Sequence, residues 1–388
     1  MKKVFFVIWG DPKFYQTLVS LSQKLSNNNI KVFIISRNLE KDKDIIKKVN
    51  FGKNVELLKS PNFMNLKINL LNYLIFNLFI TINLIFKKPK NIIYFNKKAL
   101  FNIILAKIFF KDKIKYIYHN FDFDSVSNTK RLSENFLIKF EFFCSKMCGY
   151  LIFPSENRSR LFKNLSKNYS SKYYVMMNCF PKKIIKIKSQ QFKKFIKINQ
   201  LQTKNIICHL GSIGPNHFLE EIVDSFKFIN NKYILVIAGT SINSYVEKLK
   251  KKIKKNNLDK KIYIFKDISN SYWFEILQKS KLGLCFYKQS SLSHKNMAGT
   301  SQKFNNYLFF NIPMIVNENL DFQRFKKTYD IFEMVDPKKP KKIAQKILKI
   351  FSQKIRYQKI KKNMNKAFDK NLNFDKQFIN SYKKFILN

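Results

Sequence analysis

Short apolar runs alternate with helical patterns along the first half of the chain. Val4 to Trp9 is continuously apolar, as expected of a strand buried on both faces of a parallel sheet. Gly10-Asp11-Pro12 turns the chain, Phe14 to Leu25 has helical periodicity, and Lys31 to Ser36 is a second strand, which completes one βαβ unit. The further strands predicted here are Val55 to Leu58, Asn91 to Phe95, Lys115 to His119 and Tyr150 to Phe153, and the further helices are Leu66 to Phe86, Ala99 to Phe110 and Ser133 to Cys148.

The same alternation resumes after residue 204. It predicts open, doubly wound α/β sheets. A chain of 388 residues exceeds one ordinary core, so we expect two such Rossmann-like domains. The predicted strands are Asn205 to Leu210, Tyr233 to Ala238, Lys261 to Phe265, Gly283 to Tyr287 and Met314 to Val316, and the helices between them are His217 to Phe228, Tyr245 to Lys255, Tyr272 to Gln278 and Gln302 to Phe310.

A run rich in Lys, Gln and Ile separates the two halves at residues 183–204. It contains no glycine and has no strong pattern, and we interpret it as a linker. The N-terminal domain then covers residues 1–182 and the C-terminal domain residues 205–370. Residues 371–388 form a terminal segment with the pattern of a basic amphipathic helix.

The segment Ile68 to Phe86 contains nineteen residues and no charge, and lysines flank it on both sides. Its length and composition suffice for a membrane span. Its polar residues fall within about half of a helical wheel, however, which is typical of an amphipathic helix. Three interpretations stay open: a domain helix that covers the sheet, a helix in the membrane interface with its lysines on lipid headgroups, and a true span. The polar residues are Asn69, Asn72, Asn77, Thr81 and Asn83.

The formal net charge of +49 indicates a partner that carries negative charge. Only six of the 74 basic residues are Arg, the side chain that reads bases and phosphates in bidentate fashion, so we do not expect a nucleic-acid partner. A surface this basic is attracted to anionic membranes and anionic substrates.

The five cysteines are scattered without CxxC pairs and the four histidines are dispersed, which argues against a disulfide framework and a metal site. We expect a cytoplasmic protein, with peripheral contact at the inner face of the cell membrane as an option.

The stretch Lys295 to Glu318 carries the strongest candidate chemistry. Its small-residue run ends in Thr300 and Ser301, good N-cap residues for the helix predicted to begin at Gln302. A helix N-terminus behind such a loop is a natural anion site, and Lys303 is placed to reach a bound phosphate. Glycines mark the carboxyl ends of neighbouring strands, where open α/β sheets bind their ligands. These glycines are Gly211, Gly214, Gly239 and Gly299.

Together these motifs resemble those of the retaining GT-B glycosyltransferases of family 4. The most specific are the strand-Gly-x-x-Gly loop at residues 209–217 and the later Gly-Thr-Ser-Gln-Lys-Phe-Asn-Asn-Tyr-Leu, followed by Ile-Pro-Met-Ile. The resemblance covers nearly the whole chain. It implies two Rossmann-like domains with an interdomain cleft and a C-terminal helix that packs back on the first domain. Weaker matches are Asp11-Pro12-Lys13, Tyr118-His119-Asn120, Phe153-Pro154-Ser155-Glu156 and Asn178.

The resemblance also implies which residues hold a sugar-nucleotide donor. In the family the first loop of the second domain holds the donor diphosphate, which assigns Gly211, Ser212 and Gly214 to donor binding. His217 falls on the basic position after this loop, where Arg or Lys is usual, and we expect its charge to vary near neutral pH. Lys303 falls on a lysine expected near the diphosphate. The strand-end and N-cap positions add Gly239, Thr300, Ser301 and Gln302 as candidates.

Three further positions complete the candidate site. His119 falls on a family histidine that contacts the donor sugar, so with Lys303 it is a candidate catalytic residue. Asn306 falls where the family usually has the Glu that binds the nucleotide ribose, and Ala298 where it has a Glu near the donor sugar. The two-glutamate signature of the family is therefore absent.

The function implied is transfer of a sugar from a nucleotide-diphospho-sugar to a surface polysaccharide, such as lipopolysaccharide or capsule, or to a lipid-linked glycan. We expect a metal-independent reaction with retention and no cofactor beyond the donor. Negative charge grows on the departing diphosphate as such a bond breaks, and donors aimed at that charge lower the barrier. Two alternatives stay open: a GT-B protein that binds nucleotide sugar without catalysis, and a sugar-nucleotide epimerase of the same architecture.

Overall fold

A computed structural model describes residues 1–37, 49–61, 69–111, 113–123, 125, 132–182 and 190–387 of the chain. The chain divides into two compact units, Met1–Pro181 with Phe374–Asn388, and Lys182–Asn373. Each unit is built on one parallel sheet with helices between its strands, which confirms the predicted fold class of two doubly wound α/β units. The first residues of the helix predicted at Leu66 to Phe86, and residues 183–189 of the predicted linker, lie outside the described residues.

The first unit contains a sheet of seven described strands, all parallel. The strands are β1 (Lys3–Ile8), β2 (Lys31–Arg37), β3 (Val55–Ser60), β4 (Asn91–Phe95), β5 (Lys115–His119), β6 (Tyr150–Phe153) and β7 (Lys172–Val175), and the helices are α1 (Gln16–Asn27), α2 (Asn69–Lys87), α3 (Lys97–Leu100), α4 (Ile103–Phe110), α5 (Leu132–Ser145) and α6 (Glu156–Ser166). Their order in the sheet is β3-β2-β1-β4-β5-β6-β7. The central strands β1 and β4 are buried on both faces, because their side chains are almost all apolar.

The second unit has a six-stranded parallel sheet within its described residues. The strands are β8 (Asn205–Leu210), β9 (Tyr233–Gly239), β10 (Ile262–Lys266), β11 (Ser280–Cys285), β12 (Met314–Asn317) and β13 (Phe332–Val335), and the helices are α7 (Gln191–Ile198), α8 (Leu219–Ser225), α9 (Asn243–Lys255), α10 (Asn270–Lys279), α11 (Leu292–Lys295), α12 (Gln302–Phe309), α13 (Leu320–Tyr329), α14 (Pro340–Ser352) and α15 (Lys354–Lys370). The order β10-β9-β8-β11-β12-β13 puts β8 where the winding reverses. Ligands of such sheets bind outside the carboxyl ends of strands at this reversal.

Several predicted elements differ from the structure; the strand predicted at Gly283 to Tyr287, for example, is β11 at Ser280–Cys285. The predicted linker contains α7, because Phe192 and Ile196 are buried and the Phe192 N–H donates to Glu275 at 2.8 Å. The helix predicted at Ala99 to Phe110 is two helices, α3 and α4, which are separated by Phe101 and Asn102. The helix predicted at His217 to Phe228 shrinks to α8 between two short 3₁₀ turns.

The C-terminal segment belongs to the core of the first unit. It forms α16 (Phe374–Asn380) and a last turn, Lys383–Leu387. Its aromatic and apolar side chains join the cluster that β1, β2 and α1 bury, so this segment fills one face of the N-terminal sheet. The Phe374 N–H donates to the Phe180 carbonyl at 2.9 Å, and Lys24 pairs with Asp375 at 2.9 Å.

A buried carboxyl group lies beside β5 in the same unit. Glu141 of α5 has no exposed surface, and its Oε1 accepts hydrogen bonds from the Tyr118 hydroxyl at 2.6 Å and from Asn120 Nδ2 at 2.9 Å. Burial raises the pKa of Glu141 to about 7 from its usual 4.5, against the lowering effect of these hydrogen bonds. The carboxyl group is thus an acid that the fold prefers to keep neutral.

This raised pKa predicts a pH-dependent stability. A folded pKa above the unfolded value contributes stability that is fully present below pH 4.5 and is lost as pH rises through 7. Glu141→Gln keeps the acceptor without the charge. The unfolding free energy of the variant should therefore gain about 3 kcal/mol relative to wild type between pH 4.5 and 8. Urea unfolding across this range checks it, with Glu134→Gln in the same helix as control; parallel curves for wild type and Glu141→Gln would contradict it.

Candidate functional site

Two glycines bring the ends of β8 and β9 into direct contact. Gly211 and Gly239 both have φ of +150°, and a Cβ on Gly239 would lie 1.7 Å from the Gly211 carbonyl oxygen. The Gly211 N–H donates to the Ala238 carbonyl at 2.9 Å, and the Ile213 N–H donates to the Thr240 carbonyl at 2.7 Å. Only glycine fits at Gly239, because any side chain would overlap the neighbouring backbone. The loop at residues 211–214 is thereby fixed at the carboxyl edge of the sheet.

The N-terminus of α12 lies at the same edge. Ser301 is the N-cap, as the sequence predicts, and its hydroxyl accepts from the Phe304 N–H at 3.2 Å. The Ser301 hydroxyl also hydrogen-bonds the Tyr287 hydroxyl. Asn305 Nδ2 donates to the carbonyls of Gly299 and Ser301, and the Thr300 hydroxyl donates to the Asn296 carbonyl. The small-residue loop is therefore held by its own side chains.

Lys303 joins this helix to the glycine loop. Its side chain is 4% exposed, and a Cβ on Gly211 would lie 3.0 Å from its Cε, so the absence of a side chain there makes room for the lysine. Its Nζ lies 3.1 Å from His209 Nε2 and 4.8 Å from the centre of the Tyr287 ring. No carboxylate of the described residues lies within ion-pair distance of Lys303.

Burial governs the charges of this cluster. It lowers the pKa of Lys303 to about 8, so the ammonium is still largely protonated at pH 7. Burial, and then the Lys303 charge, lower the pKa of His209 well below its usual range, so His209 is a neutral acceptor for the ammonium. The His209 ring also hydrogen-bonds the backbone of Ser212. The result is a buried cation whose described neighbours are neutral, which is an arrangement that favours an anionic ligand.

His217 differs from the expectation of a variable charge. Burial and the nearby Lys303 lower its pKa to about 3, so the ring is neutral at physiological pH. Its Nδ1 lies 3.3 Å from the Phe286 carbonyl, and its ring is 5.5 Å from that of His209. The imidazole therefore belongs to the same cluster, but as a neutral polar group.

Hydrogen bonds also fix three further candidate positions, which are Ala298, Gln302 and Asn306. The Asn306 amide lies 3.1 Å from Gln302 Nε2, and with its oxygen turned to the Trp273 indole it accepts from Nε1 at 3.3 Å. The Ala298 N–H donates to Asp321 Oδ2 at 2.8 Å. Gln302 and Trp273 thus occupy the hydrogen-bonding groups of the Asn306 amide. Gln302 itself stays exposed at the start of α12.

His119 lies in the first unit, at the end of β5, with no exposed surface. Its Nδ1 lies 2.7 Å from the Tyr382 hydroxyl, and its ring packs against those of Phe95 and Phe121. Burial lowers its pKa to about 3. These contacts are structural, and contact of His119 with a donor sugar stays a prediction.

Sequence reasoning did not single out His209 or Tyr287, both of which contact Lys303. His209 is the only polar side chain between Ile206 and Leu210 in an otherwise apolar run, and that break in the pattern is the signal that marks it. Tyr287 lies after β11, and the Asn317 side chain holds its backbone N–H and carbonyl at 2.8 and 2.9 Å.

Comparison with known proteins finds similar proteins among solved structures alone. No protein-family model and no curated protein sequence matches the chain. The solved structures that resemble it include HepE of Anabaena in complex with UDP-glucose, with 10% identity, full coverage of both chains and a TM-score of 0.74. Sucrose-phosphate synthase of Thermosynechococcus elongatus is 11% identical, with 99% and 98% of the two chains covered and a TM-score of 0.74.

A third similar structure is WaaG, a glycosyltransferase involved in lipopolysaccharide biosynthesis, with 11% identity, 97% and 99% coverage and a TM-score of 0.68. At these identities the likeness establishes the fold. The chain has the two-domain α/β fold of GT-B glycosyltransferases over its whole length.

Proposed function

We propose that this protein is a glycosyltransferase that takes its sugar from a nucleotide-diphospho-sugar. The observation that carries the proposal is Lys303, a buried cation placed between Gly211 and the N-terminus of α12. A buried charge is costly unless a partner compensates it, and none of the described side chains supplies a negative one. An anion at this strand edge would be that partner. HepE, which shares the fold, is seen with UDP-glucose.

The neighbouring groups suit a diphosphate leaving group. The Ile213 N–H is already taken by the Thr240 carbonyl. In this proposal the N–H groups of Ser212 and Gly214, those at the start of α12 and the Lys303 ammonium act on one anion. Such donors stabilise the charge that grows on the diphosphate as the glycosidic bond to it breaks. In this proposal they do so without a metal, and the sugar is transferred with retention, as the resemblance to family 4 implies.

The acceptor we propose is a growing surface polysaccharide or a lipid-linked glycan. The net charge of +49 supports an acceptor carried by an anionic surface. WaaG, which shares the fold, works in lipopolysaccharide biosynthesis. The corresponding location is the cytoplasm, at the inner face of the cell membrane.

A second candidate is a protein that binds nucleotide sugar without transferring it. Ala298 and Asn306 favour it, since neither position carries the family's glutamate. The Asn306 amide is also held by Trp273 and Gln302. Loss of a ribose contact would weaken donor binding, whereas loss of a contact to the sugar would slow transfer.

A donor panel separates these candidates. UDP-, GDP-, ADP- and CMP-sugars are added to the purified protein, and melting temperature and release of free nucleotide are recorded. A donor present at ~100-fold its dissociation constant should add roughly 2.7 kcal/mol of stability. We expect one nucleotide class to raise the melting temperature and to be slowly hydrolysed, and the matching nucleoside without phosphates to do neither.

Other outcomes of the panel point elsewhere. A rise in melting temperature without nucleotide release identifies a protein that binds nucleotide sugar without transferring it. Interconversion of sugar isomers without nucleotide release identifies a sugar-nucleotide epimerase. A cooperative melt that no sugar nucleotide shifts would contradict the proposal.

A further inference from the structure

Helix α2 turns an entirely apolar side to the solvent. Its exposed residues are all Leu, Ile or Phe, with exposed fractions from 38% to 80%. They recur at helical spacing and so form one continuous strip. The strip consists of Leu70, Leu71, Leu74, Leu78, Ile82, Ile85 and Phe86. Isolated exposed apolar side chains are ordinary, but a strip of this size on a monomer marks an interaction surface.

The polar side of α2 faces inward instead. Asn72, Asn77 and Thr81 are buried together with apolar residues of the same helix. Asn102, between α3 and α4, donates from Nδ2 to the Asn77 carbonyl at 3.0 Å and to the Thr81 hydroxyl at 3.2 Å. These hydrogen bonds fix the rotation of α2 about its axis. The exposed strip is therefore built into the fold of the first unit.

The surroundings of the strip are cationic. Residues 69–111, from the start of α2 to the end of α4, contain no Asp or Glu and seven lysines. α4 packs against α2 and leaves Ile108 and Phe109 exposed, two residues before the exposed Lys111. The remaining lysines are Lys88, Lys90, Lys97, Lys98 and Lys107, together with Lys87, which pairs with Glu56 of β3 at 3.0 Å.

We propose that the apolar strip of α2, with the end of α4, docks on an anionic lipid bilayer. An apolar strip bordered by lysines suits the boundary between acyl chains and anionic headgroups. α2 would lie in the plane of the interface, along about 27 Å of its surface for 18 residues. Every residue of this surface belongs to the first unit, whereas Lys303 and the loop at residues 211–214 belong to the second.

Two other occupants fit the structure less well. The stretch Leu70–Lys87 is long and apolar enough to cross a membrane. A crossing would break the hydrogen bonds to Asn102 and expose Asn77 and Thr81 to lipid, however, where unsatisfied polar groups are costly. A second copy of the chain would bring the lysine-rich residues 69–111 of one protomer close to those of its partner, with no acid in that stretch to offset the repulsion.

The test measures partition of the purified protein onto vesicles of phosphatidylcholine with and without phosphatidylglycerol. The variant Leu74→Ser/Leu78→Ser/Ile82→Ser changes three exposed residues of the strip. The matched control changes three exposed isoleucines of the second unit: Ile198→Ser/Ile242→Ser/Ile355→Ser. We expect wild type and control to bind the anionic vesicles more tightly than the zwitterionic ones. We expect the strip variant to bind them at least about 30-fold more weakly.

Three results would overturn the proposal. These are equal binding of the strip variant and wild type, failure of wild type to bind anionic vesicles, and vesicle-bound protein that resists alkaline carbonate extraction, which would indicate a span. A concentration-dependent dimer that the strip variant abolishes, without vesicle binding, would identify a second copy as the occupant. Circular dichroism and the melting temperature of the strip variant show that it is folded, and its unchanged response to the sugar-nucleotide panel keeps the two proposals separate.

Discussion

Lys303→Met should make the ligand-free protein more stable and remove its response to sugar nucleotides. The charged side chain has a pKa of about 8 in place of 10.5, so holding it protonated in the fold at pH 7 costs about 3 kcal/mol. Methionine has a similar volume and no charge to desolvate. After loss of the hydrogen bond to His209, we expect a net gain of about 2 kcal/mol in unfolding free energy. Lys303 is the cation that we place at the proposed diphosphate, so its loss should lower kcat/KM at least about 100-fold.

The matched control is Lys254→Met, which removes an exposed lysine near the end of α9. It should change the unfolding free energy by less than about 0.5 kcal/mol and leave donor binding intact. Denaturant unfolding and donor titration of the three proteins supply both readouts. A Lys303→Met protein that is less stable than wild type and still binds the donor would show that this lysine is structural.

Gly239→Ala is expected to be the most damaging small substitution in the second unit. Its methyl group would lie 1.7 Å from the Gly211 carbonyl oxygen, and backbone cannot yield as a flexible side chain does. The φ of +150° adds strain for any residue with a Cβ. We expect destabilisation of about 4 kcal/mol or more, with displacement of the loop against Lys303 and loss of donor binding.

Gly149→Ala is the control for this change. No atom lies within 4 Å of the position that its Cβ would take, and its φ is not in the left-handed range. The same substitution there should change the melting temperature by a few degrees at most. Equal stability of the two variants in thermal melts would mean that the contact between Gly239 and Gly211 is not maintained in solution.

The buried strands were predictable because they are continuous apolar runs bounded by turn residues. Lys115–His119, Tyr150–Phe153 and Asn205–Leu210 begin and end where the sequence predicts. α7 was missed because it is only eight residues long and lies in a lysine-rich run, and the sequence does not show that Phe192 and Ile196 are buried. The sequence also showed that the polar residues of α2 share one side of the helix, but not that this side faces the interior. Periodicity shows that two sides differ without showing which side the neighbours will cover.

The candidate site was predictable where local rules determine it. The Ser301 cap and the strand-end glycines follow from short-range geometry. The pairing of Lys303 with His209 joins residues 94 positions apart, and the burial of His119 depends on Tyr382, 263 positions later. Charges inside the site depend on those contacts, which is why the neutral His217 ring could not be foreseen.

In the proposed function, the loop at residues 211–214, the start of α12 and Lys303 together hold a diphosphate. The most direct test is a crystal structure of the protein with the nucleoside diphosphate that the donor panel identifies. We expect a phosphate oxygen within about 3 Å of Lys303 Nζ, with the backbone N–H groups of Ser212 and Gly214 donating to the same diphosphate. A nucleotide whose phosphates lie away from Lys303, with the Lys303 ammonium still on His209, would contradict the proposed site.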